Sequence, residues 1–215
     1  MEQEKVYLPM KILLEGGDGE IVEKKSRFIA SVAAVESLEE ATEFIESVKK
    51  KYWDARHNCS AFVIGDQNQI TRCSDDGEPS GTAGRPMLEV LLGSEIHNVA
   101  VVVTRYFGGV LLGTGGLVRA YTKATQEGLS NCKVAMRAYG YEVCLETDYN
   151  SIGKIQYILG KAGMNQYQSD YTEVVNITVF LLQESKDGIL KEIIEATAAR
   201  CKIAVGEGEY RLLEE

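Results

Sequence analysis

Nine of the 21 glycines crowd into the forty residues from Gly77 to Gly116. Such clustering marks positions where the backbone needs positive φ or must approach a neighbour closely. The window also holds the β-branched stretch Asn98–Phe107, with the longest buried-looking run, Val99–Val103, inside it. A run of that kind suits a strand buried on both faces. A glycine-rich turn follows, and the spacing then predicts a helix from about Leu117 to Leu129.

Upstream, Met10–Leu14 and Phe28–Val35 read as strands. Ser37 is an N-cap and Glu40 completes a capping box. Leu38, Ala41, Phe44, Ile45 and Val48 follow helical spacing, and Lys49, Lys50 and Lys51 suit the last turn of that helix. Asn58–Asp66 and Gln69–Cys73 read as a strand pair, and Pro86 opens a short helix through Met87, Leu88, Val90 and Leu91. Beyond Asn131 the pattern becomes strand Val134–Thr147, helix Ile152–Ala162 ended by Gly163, strands Met164–Tyr171 and Glu173–Gln183, helix Ile189–Ala198 and strand Lys202–Leu212. This β-α-β-β-α-β order is the ferredoxin-like split βαβ arrangement. The predicted class is therefore α+β, with two domains over 1–131 and 132–215.

Charge narrows the partners. The formal net charge is −9, split as −5 over residues 1–130 and −4 over 131–215. A nucleic-acid role must then rest on a local patch, because the overall field repels phosphate. No apolar run approaches the length of a membrane span, and the start of the chain lacks the basic-then-apolar pattern of a secretory leader. The five cysteines include no C-x-x-C and read as reduced thiols of a cytoplasmic protein. The oligomeric state is not legible.

Several segments carry chemistry. Asp75, Asp76 and Glu78 precede a run of small residues, Ser80-Gly81-Thr82-Ala83-Gly84. Carboxylates this close invite a cation, and magnesium is the hard ion such a loop would take. The alternative is a rigid turn whose aspartates bond backbone amides while its glutamate is solvated. No firm metal set is present. The second segment places Arg105, Gly108, Gly109, Gly113, Thr114, Gly115, Gly116 and Arg119 across strand end, turn and helix start. Helix-start amides and two arginines suit a phosphate or a nucleic-acid backbone. The pattern is neither a dinucleotide fingerprint nor a Walker loop. The alternative is close packing, with the arginines paired to nearby acids.

His57 and Cys59 face the same side of a strand and are weak candidates for a catalytic pair. Cys59 reads equally as a small buried hydrophobe. His97 reads as a loop residue. Tyr52 and Trp53 after the three lysines could grip a nucleic-acid strand, or the aromatic folds onto the core. Lys24, Lys25 and Arg27 form a further basic group. No catalytic constellation is complete, which favours binding over catalysis and calls for no cofactor.

Four segments together resemble the YigZ/IMPACT family. They are Asp54-Ala55-Arg56-His57-Asn58-Cys59, Asp75-Asp76-Gly77-Glu78-Pro79-Ser80-Gly81-Thr82-Ala83-Gly84, Val102-Val103-Thr104-Arg105-Tyr106-Phe107-Gly108-Gly109 and Leu112-Gly113-Thr114-Gly115-Gly116-Leu117-Val118-Arg119-Ala120-Tyr121. The resemblance covers residues 20–130 as an IMPACT-type N-terminal domain. It implies a fold similar to the second domain of a small-subunit ribosomal protein. The C-terminal unit resembles the last domain of elongation factor G. Eukaryotic relatives regulate translation initiation through protein contacts. The resemblance thus implies a non-enzymatic translation regulator whose partner is the ribosome, RNA or a translation-associated protein. The alternative is an enzyme or binder for a small phosphorylated molecule or nucleotide, with magnesium.

Overall fold

A computed structural model describes residues 7, 9–65 and 68–213. Asp66, the last residue of one predicted strand, lies outside them, as do parts of both predicted domain ends. The architecture is mixed α+β. Backbone contacts divide the described residues into two compact units, Met10–Met136 and Arg137–Leu213, the second also taking Tyr7 and Pro9.

The first unit is built on a sheet of five strands. These are β2 (Gly17–Glu23), β3 (Ser26–Ala34), β4 (His57–Ile64), β5 (Ile70–Ser74) and β7 (Val99–Tyr106). Their order is β2-β3-β7-β4-β5, and each neighbouring pair is antiparallel. Strand β7 is central, and Val99–Arg105 are all buried. The sheet is covered on both faces, as the β-branched run predicts. On one face Ala30, Cys59, Val101 and Val103 pack on Met87 and Leu91 of α2 (Gly84–Ser94) and Tyr121 of α3 (Thr114–Ser130). On the other, Phe62, Ile64 and Ala100 pack on α1 (Leu38–Lys51). Two short strands, β1 (Met10–Glu15) and β6 (Ile96–His97), pair in parallel.

The helix ends follow local chemistry. Ser37 Oγ accepts from the Glu40 amide at 3.1 Å. The Glu40 carboxylate reaches one residue further back than the standard box, accepting from the Glu36 amide at 2.8 Å. Helix α2 starts two residues before Pro86, whose missing N–H costs nothing inside the first turn. Helix α3 starts at Thr114, so Gly115 and Gly116, read as turn, form its first turn. Strand β2 is absent from the predicted set. Its residues are GDGEIVE, and Gly19 replaces an apolar side chain because α3 lies directly on it. A Cβ there would sit 2.6 Å from the Gly128 nitrogen.

The second unit has strands β8 (Lys133–Thr147, entering from the first unit), β9 (Tyr167–Tyr171), β10 (Val175–Leu182) and β11 (Lys202–Leu213). They order as β9-β10-β8-β11. With α4 (Ile152–Lys161) and α5 (Gln183–Ala196) this is the predicted βαββαβ succession. Strand β10 alternates buried and half-buried residues along its whole length, and Val175, Ile177, Val179 and Leu181 pack on Ile155, Leu159 and Ile193. Gly163 at φ 77° closes α4, with the Met164 amide donating to Leu159 O at 2.9 Å. That is a Schellman cap.

Candidate functional site

The antiparallel pairing brings three connecting segments to one end of the first unit's sheet. Arg105, near the end of β7, pairs with Phe28 of β3 on one side and His57 of β4 on the other. The acidic loop 75–83, the glycine segment 107–113 and the Lys24–Lys25 turn all leave from this end.

The acidic loop is a built structure. Asp75 accepts from the amides of Gly81 at 2.8 Å, Ala83 at 3.0 Å and Gly84 at 2.8 Å. It thus caps α2, whose own N-cap residue, Ala83, has no side-chain acceptor. Burial pushes the Asp75 carboxyl up, but the three amides outweigh it and hold the group below the usual carboxylate range. Asp76 accepts from the Asn58 amide at 2.6 Å and faces Lys49 at 3.8 Å.

Glu78 departs from the solvated glutamate of the turn reading. It is buried, and its Oε1 accepts from Arg105 Nη1 at 2.6 Å and from Tyr121 Oη at 2.9 Å. Arg105 is 6% exposed. Its guanidinium lies 5.4 Å from the Phe28 ring and 5.6 Å from the Phe107 ring, and its buried Nε meets no acceptor. The expectation of Arg105 as a surface phosphate ligand is therefore corrected: it serves as the counterion of Glu78. The parity of β7 could have shown this, because Arg105 shares a face with Val101 and Val103, which point into the core under α3. Tyr121 is fully buried and stands edge-on to Phe28 at 5.1 Å. Burial raises its pKa, and Cys59 and Glu78 add to the shift.

The two carbonyls of the loop also hold the weak catalytic candidates. Cys59 Sγ lies 3.0 Å from Asp75 O and 3.4 Å from Tyr121 Oη. Burial pushes its thiol up to about 12, so at neutral pH it is protonated and not a nucleophile. His57 Nδ1 lies 2.8 Å from Asp76 O. A carbonyl oxygen only accepts, so Nδ1 carries the proton. The two side chains share a face, as expected, but each is engaged with the backbone of the loop. His97 belongs to β6 and bonds Gly65 O at 3.2 Å, which corrects its reading as a loop residue.

The three carboxylates offered to magnesium are thus directed at different protein partners. Among the described residues no group of three His, Cys, Asp or Glu side chains is placed to share a metal ion.

The outer part of the same end is different in character. Lys24 and Lys25 form a two-residue hairpin turn with φ of 46° and 67°. Both angles are in the left-handed region, the mark of a type I′ turn. Gly108 lies flush on it: a Cβ there would be 2.1 Å from the Lys25 carbonyl carbon. The Gly108 amide donates to Ser26 Oγ at 3.1 Å. Arg27 is bound to Glu20 at 2.9 Å, with its guanidinium 5.8 Å from the Tyr106 ring. Tyr106 donates to Asp54 at 2.7 Å. Beyond Asp54, Trp53 is 82% exposed, which overturns its reading as a core aromatic. Phe107, Val110 and Leu111 are exposed as well. Gly113, the N-cap of α3, offers no side-chain cap, and exposed Arg119 lies on the second turn of that helix. Tyr121, Phe28, Tyr106, Asp54 and Arg56 all belong to this end and were not singled out from the sequence. Tyr121, Tyr106, Asp54 and Arg56 do stand inside the motifs that carry the family resemblance.

The C-terminal sheet offers less. Its Glu142 and Glu146 are paired with Arg211 and Lys202, each at 2.7 Å. No helix among the described residues is long and apolar enough to cross a membrane.

Comparison with known proteins agrees with the motifs. Residues 24–129 match the family model of the Impact N-terminal domain, and residues 145–200 match a domain of unknown function, DUF1949. The chain is 42% identical over 196 residues to IMPACT family member YvyE of Bacillus subtilis, covering 91% of this chain and 90% of that protein. It is 42% identical over 160 residues to IMPACT family member YigZ of Escherichia coli, covering 74% and 78%. A Protein IMPACT homolog of Schizosaccharomyces pombe is 39% identical over 97 residues, 43% of this chain and 34% of that protein. A solved structure described as a crystal structure of a hypothetical protein superposes with a TM-score of 0.59 at 35% identity, covering 93% of this chain and 98% of that one. With two domain models matched in order and relatives aligned over most of their length, the chain belongs to the IMPACT family.

Proposed function

We propose that the protein is a non-enzymatic regulator of translation that acts in the cytoplasm by binding the translation machinery, with the loop end of the first unit's sheet as its contact face. Family membership supports the process. The state of the polar groups supports binding over chemistry: Cys59 is held protonated, and Asp75, Asp76 and Glu78 are each committed to internal partners. The observation that carries the reading is the outer surface of that end. Trp53, Phe107 and Leu111 stand exposed there beside cations, on a chain of net charge −9. The reading also takes the first unit as similar to the second domain of a small-subunit ribosomal protein and the second unit as similar to the last domain of elongation factor G.

The test is co-sedimentation of the purified full chain with ribosomes at low and moderate salt. Salt-sensitive co-migration that Leu111→Asp weakens is the expected result. Leu111 is 83% exposed, so the substitution leaves the fold intact. Absence of co-migration at either salt rejects the reading. One observation favours a second reading as a binder of small phosphorylated molecules: the acidic loop and the glycine segment leave from the same sheet end, and Glu78 ties that loop to Arg105 and α3. Thermal stabilisation by such a molecule with magnesium, without ribosome binding, selects it.

A further inference from the structure

We propose that the segment ahead of β1 is a detachable strap, and that the second unit carries an aromatic seat that binds a tyrosine on an extended stretch of chain. In this structure the occupant of the seat is Tyr7. The site lies in the second unit and does not depend on the reading above.

Tyr7 belongs to no helix or strand. It counts with the second unit, although the chain from Met10 to Met136 builds the first. Its ring stacks on Tyr139 of β8, with centroids 4.0 Å apart and planes 19° from parallel. It also meets Tyr210 of β11 edge-on at 5.8 Å. Stacking and edge contact are the two arrangements that ring quadrupoles favour. The Tyr7 amide donates to Gln183 Oε1 at 3.3 Å, so the seat takes up a main-chain group at the first residue of α5. A flat wall, an edge wall and a main-chain acceptor together fit a tyrosine on an extended segment.

The seat is built without its occupant. Tyr139 meets Tyr210 at 5.2 Å and Tyr141 at 5.8 Å, both edge-on. Gly208 makes room for this, since a Cβ there would lie 2.3 Å from Tyr139 Oη. Two cations brace the rings. The Arg137 guanidinium is 4.8 Å from the Tyr210 ring, and Lys186 Nζ is 4.3 Å from the Tyr141 ring. Lys186 stands near the start of α5, where the helix dipole disfavours a cation, and the ring face offsets that. None of these contacts includes Tyr7, so the seat keeps its shape when the strap leaves. A preformed seat lowers the ordering cost of binding.

The core of the second unit does not need the strap. Of the four rings, Tyr141 packs on the core of Val143, Leu145, Ile177 and Leu181. Tyr7, Tyr139 and Tyr210 lie beside that core, each half-buried. The strap can therefore dissociate without opening the unit.

The full chain with Tyr7→Ala vacates the seat. A fluorescein-labelled synthetic peptide of residues 1–10 is titrated into this variant and into the wild type, followed by anisotropy. In the wild type the tethered Tyr7 competes at an effective concentration of about 1 mM. The peptide should bind the variant at least about tenfold more tightly than the wild type. The same peptide with Tyr7→Ala should bind the variant at least about tenfold more weakly, the loss expected for two ring contacts. Hydrogen exchange should show the bound peptide protecting amides around Tyr139 and Tyr210. By linkage, the ratio of the two chains' affinities also limits what loss of the strap does to the unit. Exchange at the Val143 and Leu145 amides should quicken in the variant by no more than that ratio. A larger acceleration overturns the proposal, because Tyr7 is then a fixed part of the fold. Equal binding by the two chains, or no binding to the variant at about 1 mM peptide, overturns it as well. An unrelated tyrosine peptide that binds as tightly overturns the choice of occupant and gives the seat to a foreign segment.

Discussion

The Glu78–Arg105 pair invites a double-mutant cycle. Both side chains are almost wholly buried, 3% and 7% exposed, and meet at 2.6 Å. Glu78→Leu leaves the Arg105 charge buried without a counterion, which costs about 3–5 kcal/mol. It also takes away the acceptor of Tyr121, whose hydroxyl is buried beside Cys59. Arg105→Met leaves a buried carboxylate that can still accept from Tyr121, and costs about 3 kcal/mol. In the double variant no charge remains, and the methionine lies between Phe28 and Phe107, where a thioether packs well. Replacement of a whole buried pair is often neutral. The double variant should then lose no more than about 2 kcal/mol, for a coupling energy of roughly 4 kcal/mol or more. The readout is native-state hydrogen exchange at the amides of Val101–Val103 in the central strand, which exchange through opening of the first unit. A loss of about 4 kcal/mol speeds them roughly a thousandfold. If the double variant loses as much as the two singles added together, the two groups are not each other's counterion and the reasoning fails.

Three further outcomes follow from the same end of the sheet. Asp75 is held below the usual carboxylate range, because three amides outweigh its partial burial, so its stabilisation is complete above the unfolded pKa of about 3.9 and fades as pH falls through its lower folded value. Asp75→Asn should cost about 2–4 kcal/mol at neutral pH and flatten the acid-unfolding curve below about pH 4, as followed by circular dichroism; an unchanged curve counts against the cap. At about pH 8, Ellman's reagent should modify exposed Cys73 and Cys144 in the native protein and reach buried Cys59, whose thiol is raised to about 12, only after unfolding; peptide mapping that finds Cys59 in the first fraction contradicts this. Gly108→Ala forces a methyl into the Lys25 backbone and should cost about 2–3 kcal/mol, against about 1 kcal/mol for Gly109→Ala, where the space is open and only the φ of 84° is unfavourable. Equal melting temperatures for the two variants refute the close approach.

Much of the scaffold is legible because local chemistry and tertiary role agree. The run Val99–Val103 is apolar on both faces and is buried on both. Ser37 caps α1, and Gly163 ends α4 with the Schellman bonds its position suggests. Strand β2 escapes because Gly19 is chosen for its contact with Gly128 rather than for strand propensity. The start of α3 escapes because Gly115 and Gly116 are poor helix formers that tertiary packing overrides. At the site, the acidic turn is readable as far as Asp75, whose amide donors lie within nine residues. Glu78 is not, since a carboxylate between Gly77 and Pro79 looks solvated. Its partners come from 27 and 43 residues away, on elements that only the folded sheet brings near. Local pattern carries no record of such distant neighbours.

The Lys24–Lys25 hairpin has a consequence for anyone who would improve this protein. Each lysine occupies a left-handed backbone conformation at about 1 kcal/mol more than asparagine or glycine would require. A library screened for heat resistance should therefore enrich Asn-Gly at these two positions early and repeatedly, since the gain is local and disturbs no core contact. Each survivor of that screen would carry two fewer positive charges at the loop end of the first unit's sheet. Thermal selection thus acts on these two turn residues against the charge that the proposed contact would use, and a hardened variant would be the wrong one in which to test that proposal.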